Sequence, residues 1–125
     1  MKEQVATFEE PTPYSFIDYQ HESSGTAIYP EAGTGSQLAL AYCALGLGEA
    51  GEIQNKVKKV IRDTGGKLTV DMTAEISKEL GDILWYVAAM CREIKVPMYV
   101  IAEDNIRKLN KRKEEGKLRG SGDNR

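Results

Sequence analysis

Leu45-Gly46-Leu47-Gly48-Glu49-Ala50-Gly51-Glu52 carries two carboxylates three residues apart, and Lys78-Glu79-Leu80-Gly81-Asp82-Ile83-Leu84-Trp85-Tyr86 carries two more at the same spacing. On an α-helix this spacing stacks the acids on one face, about one turn apart. Like charges so placed repel, by roughly a few tenths of a kcal/mol per pair. Two apolar-patterned helices that both carry this cost point to a positive charge held between them, and a divalent metal ion is the simplest candidate. The donor types narrow the choice. The single histidine, His21, is far from both pairs and in no Glu-x-x-His motif, so the ligand set of a carboxylate di-iron bundle is missing. Four oxygen donors without imidazole or thiolate suit a hard ion, Mg²⁺ or Mn²⁺. Mg²⁺ is usually held by one or two carboxylates, waters and substrate phosphates, so the pattern already suggests a phosphate-bearing substrate.

Outward from the first pair, Thr34-Gly35-Ser36-Gln37 resembles a capping box and predicts a long helix to about Asp63. Its seam Leu38, Tyr42, Leu45, Glu49, Glu52, Lys56, Lys59 turns from apolar to acidic to basic, while Ile53, Val57 and Val60 form a neighbouring core stripe. Gly46, Gly48 and Gly51 within this helix imply close approach of another helix or a ligand. Gly65-Gly66 ends it. Lys67–Met72 reads as a connector with Leu68 and Val70 folded back on the core, and Thr73 with Glu75 opens the next helix. Ile76, Leu80, Ile83, Val87, Met90 and Ile94 follow a four-three repeat that predicts a packing seam, with Glu79 and Asp82 at its border. Pro97 starts the last helix, whose one face is Ile101, Asn105, Lys108 and Arg112 and whose other is Tyr99, Ala102, Ile106 and Leu109.

Before the first pair, Thr12-Pro13 reads as the start of a short helix to about Glu22, with His21 near its end as a capping or surface residue. The glycine-rich stretch Ser23–Ser36 reads as a loop; its spacing fits no dinucleotide or P-loop fingerprint, although such a loop could turn N–H groups toward phosphate. Tyr29 in this loop is a candidate to pack beside a bound base. The domain division is then a flexible N-terminus at 1–12, one helical domain at 13–113 and a basic tail at 114–125.

A chain of 125 residues makes one domain with a moderate core. A net charge of −2 carries no global signature for nucleic acid, and no nucleic-acid partner is expected. The charge is nevertheless polarised: residues 1–31 hold one Lys against six acids, whereas 107–125 hold eight basic residues against three acids. Such an end is either solvated or able to bind phosphates or an acidic surface. Cys43 and Cys91 fall on predicted apolar faces and fit free thiols in a reducing compartment. No signal peptide and no apolar run of about 18 residues is present, so a cytoplasmic protein without membrane contact is expected.

The two acid pairs, each in its glycine and alanine context and in this order, resemble the MazG family of all-α nucleotide pyrophosphohydrolases. Asn105-Ile106-Arg107-Lys108-Leu109 is similar to a further element of that family, and the resemblance spans roughly Phe16–Arg112. It implies a four- to five-helix bundle with two long core helices, assembled as a homodimer or a dimer of dimers. It also implies Mg²⁺-dependent hydrolysis of ribo- or deoxynucleoside triphosphates to the monophosphate and pyrophosphate. Glu49, Glu52, Glu79 and Asp82 would hold the metal, and Glu52 or Glu49 would orient or deprotonate the attacking water. Lys56, Lys59, Lys108 and Arg112 are candidates to bind the leaving pyrophosphate, and Asn105 to hydrogen-bond phosphate or metal-bound water. Trp85 lines the base pocket or fills core or subunit interface. A phosphoribosyl-ATP pyrophosphatase, a dUTPase-type enzyme and a non-catalytic helical interaction module are the alternatives. The base and sugar preference is not encoded in these motifs.

Overall fold

The computed structural model describes residues 13–116, and no strand occurs among them. The elements are α1 (Phe16–Ser24), α2 (Gln37–Gly46), the short 3₁₀ turn η1 (Leu47–Glu49), α3 (Ala50–Thr64), α4 (Val70–Glu93) and α5 (Met98–Glu114). α4 is the hub: every other element packs against it, and α5 also packs on α1. The all-α class expected from the sequence is therefore the one observed.

Helix starts are set by side chains that satisfy the orphan N–H groups of the first turn. α1 begins at Ser15 rather than Thr12-Pro13, because Ser15 and Asp18 cap one another reciprocally: Asp18 N–H donates to Ser15 Oγ at 3.0 Å and Ser15 N–H to Asp18 Oδ2 at 3.2 Å. Thr12 itself lies outside the described residues, as do the other residues of the 1–12 segment and positions 117–125 of the tail. Ser36, not Thr34, caps α2 by accepting from Ala39 N–H at 3.2 Å. Thr69 caps α4 by accepting from Met72 N–H, one turn before the predicted start at Thr73. Leu68 and Val70 are consequently exposed instead of folded back on the core.

The single long helix predicted from the Thr34–Gln37 capping box to about Asp63 is three segments. Gly46, Leu47, Glu49 and Ala50 all keep right-handed helical dihedrals, so the path is continuous but tightened at η1. A 3₁₀ turn advances three residues per turn instead of 3.6, which rotates the faces of α3 relative to those of α2. The predicted seam from Leu38 to Lys59 is thereby split. Gly46 is required here: a Cβ on it would sit 2.1 Å from the Tyr86 ring. Gly65, in the left-handed region at φ 64°, ends α3 as expected. Pro97 is the cap preceding α5, one residue earlier than its predicted place.

The interior is built from small residues. Ala39, Cys43, Ala89 and Tyr29 form one buried cluster, and Ala88, Cys91 and Met98 a second. Both cysteines are buried free thiols, and Met90 packs against the first cluster. The predicted α4 seam is only partly covered: Ile76, Ile83, Val87 and Met90 are half-buried, but Leu80 and Ile94 are exposed. The innermost stripe is the adjacent one, Ala88, Ala89 and Cys91, since small side chains let neighbouring helices approach α4 closely. No helix among the described residues is long and apolar enough to cross a membrane.

Candidate active site

Glu49 at the end of η1 and Glu79 and Asp82 on α4 each bring a carboxylate oxygen within 4.8 Å of the other two. The 3₁₀ turn aims Glu49 at α4, and the i, i+3 spacing of Glu79 and Asp82 gives both acids one face toward it. Burial, then Glu79 and Asp82, then Glu52, hold the Glu49 carboxyl above the ordinary glutamate range. This is a group of like charges that the described residues leave short of positive charge, with oxygen donors only, and it fits a hard divalent cation.

The remaining predicted residues divide. Glu52, one turn beyond Glu49, is exposed and lies outside the close group, although its charge reaches Glu49. Lys56 faces α4 and places its ammonium 3.8 Å from both Glu75 and Glu79, bridging α3 to α4. Lys59 is exposed, and its charge acts on Asp63 near the end of α3. Asn105 and Lys108 are exposed on α5, which packs on α1 and α4 and on neither η1 nor α3. Arg112, read as part of the same cationic face, is instead 7% exposed.

Beside the carboxylates opens a cleft of ≈ 380 Å³ lined by Thr26, Glu49, Asp82, Trp85 and Tyr86. Trp85 thus stands next to the acids, and it also packs on the first core cluster. Its indole N–H donates to Thr26 Oγ1 at 2.8 Å, and the Thr26 hydroxyl donates to the Ser23 carbonyl at 3.0 Å. Tyr86 meets Trp85 edge-on with ring centroids 5.1 Å apart. Behind them Tyr29 stacks on Tyr42 at 5.0 Å and meets Trp85 edge-on at 6.1 Å. Tyr29 is therefore not a wall of the cleft; it is buried, and its hydroxyl donates to Glu93.

Thr26, Tyr86, Glu75 and Glu93 are the residues that the motif reading left without a role here. Glu75 had a signal, because it lies at i, i+4 to Glu79 and shares its face. Glu93 had a weaker one, a lone acid beside the small residues Ala88, Ala89 and Cys91. Thr26 had none, since its partner lies 59 residues away.

Residues 37–116 match the sequence model of the MazG nucleotide pyrophosphohydrolase domain. The "Gene 37 protein" of Mycobacterium phage L5 is 46% identical over 109 residues, which cover 86% of this chain and 96% of that protein. No solved structure matches. The carboxylates, Lys56, Trp85 and Tyr86 all fall inside the matched segment; α1 and the loop bearing Thr26 and Tyr29 precede it.

Proposed function

The chain belongs to the MazG nucleotide pyrophosphohydrolase family, and we propose that it hydrolyses ribo- or deoxynucleoside triphosphates between the α- and β-phosphates. The products are the nucleoside monophosphate and pyrophosphate. The observation that carries this reading is the juxtaposition of three converging carboxylates with an aromatic-walled cleft. One half suits a cation and polyphosphate, the other a flat base.

Glu49, Glu79 and Asp82 would hold Mg²⁺, with Mn²⁺ as a substitute, and Glu52 would join them by swinging its side chain inward. When bound, such an ion offsets the charge of the anhydride oxygens and acidifies water. Glu49 is the carboxylate best placed to orient the attacking water and take its proton, because it belongs to the acid group and also lines the cleft. Trp85 and Tyr86 supply the surfaces against which the base stacks. Lys56, already beside Glu79, is placed to meet a phosphate arriving at the acids.

A homo-oligomer is part of this reading. One chain buries mostly alanine, cysteine and a few larger residues, while Leu80, Leu84, Ile17, Phe16 and Ile106 remain exposed. Lys59, Asn105, Lys108 and Arg112 retain their proposed substrate roles only where a second chain brings them to the acids.

Hydrolysis in ¹⁸O-water with product mass spectrometry tests the assignment. Attack at the α-phosphorus leaves the label in the monophosphate and none in pyrophosphate. Label in inorganic phosphate with a diphosphate product would show γ-phosphate hydrolysis and overturn it.

A further inference from the structure

At the far end of α4 a second carboxylate is treated in the opposite way. Glu93, the last residue of the helix, is 3% exposed. Its Oε2 accepts from the Tyr29 hydroxyl and from Gly33 N–H at 2.7 Å, and its Oε1 accepts from Gly35 N–H at 2.8 Å. The loop is shaped for this contact. Gly33 and Gly35 have φ of 84° and 70°, the left-handed region that glycine adopts without strain. A Cβ on Gly33 would lie 2.8 Å from the Arg92 guanidinium, and one on Gly35 would lie 3.1 Å from the Glu93 carbonyl oxygen. The N–H groups that a glycine-rich loop can turn toward an anion are therefore committed to one inside the protein.

The consequences run along the loop to the cleft. Glu93 fixes Tyr29; Tyr29 stacks on Tyr42 and holds the edge of Trp85; Thr26, on the same loop, accepts the Trp85 indole N–H. Trp85 lies eight residues before Glu93 on α4, about 12 Å along the axis, too far for direct contact. We infer that Glu93 is a positioning residue for nucleotide binding: through Tyr29 and the 25–36 loop it sets the orientation of the Trp85 ring on which the base stacks. This rests on the proposed function and deepens it by separating base binding, governed from Glu93, from phosphate chemistry at the acids.

The test uses Glu93→Gln, which keeps the volume and removes the charge, and Tyr29→Phe, which keeps the ring and removes the hydroxyl. Trp85 is the chain's only tryptophan, so intrinsic fluorescence reads its surroundings directly. Both variants should shift the ligand-free emission maximum and raise KM for nucleoside triphosphate about tenfold, with kcat changing less than about twofold. Inorganic tripolyphosphate, which lacks a base, should inhibit wild type and variants with equal potency. Unchanged emission, a loss confined to kcat, or an equal weakening of tripolyphosphate would each overturn the inference. If Glu93→Gln fails to fold, Tyr29→Phe alone decides by the same readouts. Wild-type protein that releases no pyrophosphate would sink the proposed function instead, and unchanged ligand-free emission in the variants would still overturn the coupling of Glu93 to Trp85.

Discussion

α4 carries carboxylates at two places, a pair that meets Glu49 and the single Glu93, and the protein handles them oppositely. Glu79 and Asp82, with Glu49 from η1, stand close together and hold the Glu49 carboxyl above its ordinary range, with Lys56 on Glu79 as the nearby cation. Glu93 stands alone among small buried residues and receives three donors. A buried charge is tolerated only when its hydrogen-bonding capacity is met, and Glu93 meets that condition within the chain. The acid group is partly exposed, with Lys56 as its ion-pair partner, so it is open to a partner from outside. The same side-chain chemistry therefore serves architecture at one end of the helix and, in the proposed function, metal and substrate binding about four turns away.

The largest expected effect separates the two ends by function. Glu49→Gln, Glu79→Gln and Asp82→Asn should each lower turnover by about a hundredfold, the scale of losing one electrostatic catalytic group. The stability of the Glu49 and Asp82 variants should hold or rise, because each change relieves repulsion within the group; Glu79→Gln also loses the Lys56 pair, so its stability should change little. Glu52→Gln should fall as far if its side chain joins on binding. Near-normal turnover there would leave a site of three carboxylates. Thermal melts recorded beside saturating kinetics would expose the opposite pattern, in which the acids are structural.

A smaller effect concerns pH, and it should be seen at the Glu93 end. Burial pushes the Glu93 carboxyl up, but the Tyr29 hydroxyl, the Gly33 and Gly35 N–H groups and Arg92 together bring it below the ordinary glutamate range; Cys43, which faces Tyr29 from α2, is a buried thiol that burial pushes up and that stays neutral on acidification. A depressed carboxyl contributes stability that is fully present above its unfolded-state pKa. That contribution disappears as pH falls through the folded-state value. Urea midpoints measured from neutral to acid pH should therefore fall for wild type by an increment that Glu93→Gln lacks. At pH 7 the variant should already be about 2 kcal/mol less stable, the scale of hydrogen bonds to a charged group. Parallel pH profiles for the two proteins would remove Glu93 from the acid-sensitive set.

How far each end was legible in the sequence depends on the range of its interactions. The acid pairs were readable because i, i+3 spacing is a local property that survives whatever the tertiary fold does. The all-α class was readable from long periodic segments for the same reason. The tightening at η1 was not, since it depends on Gly46 accepting the Tyr86 ring from another helix. Thr69 was passed over as a cap because Thr73 offered an equally good local signal one turn later. The Glu93–loop contact was least legible of all: Gly33 and Gly35 reach Glu93 across about sixty residues, and no local pattern pairs a loop with a helix end that far off. Trp85 lay between the cases. As an aromatic in the second motif it was legible as a base-pocket or core residue, but its hydrogen bond to Thr26 was not.

The smallest expected effect probes the cation already at the acid end. Lys56 lies 3.8 Å from Glu75 and from Glu79, with about a quarter of its own side chain exposed and Glu75 largely so. Ion pairs this open contribute about 0.5 kcal/mol, so Lys56→Met, which keeps most of the aliphatic stem, should lower the ligand-free melting temperature by only a degree or two. Its effect on binding distinguishes two roles. If the ammonium competes with a divalent ion for Glu79, its removal should tighten Mg²⁺ binding severalfold in a calorimetric titration without nucleotide. If it also meets the incoming phosphates, the same variant should raise KM for nucleoside triphosphate while Mg²⁺ affinity improves. Both changes together are expected, because a lysine held at the edge of an acid group can leave its carboxylate for a phosphate when the ion arrives. Unchanged Mg²⁺ affinity with unchanged KM would reduce Lys56 to a strut between α3 and α4.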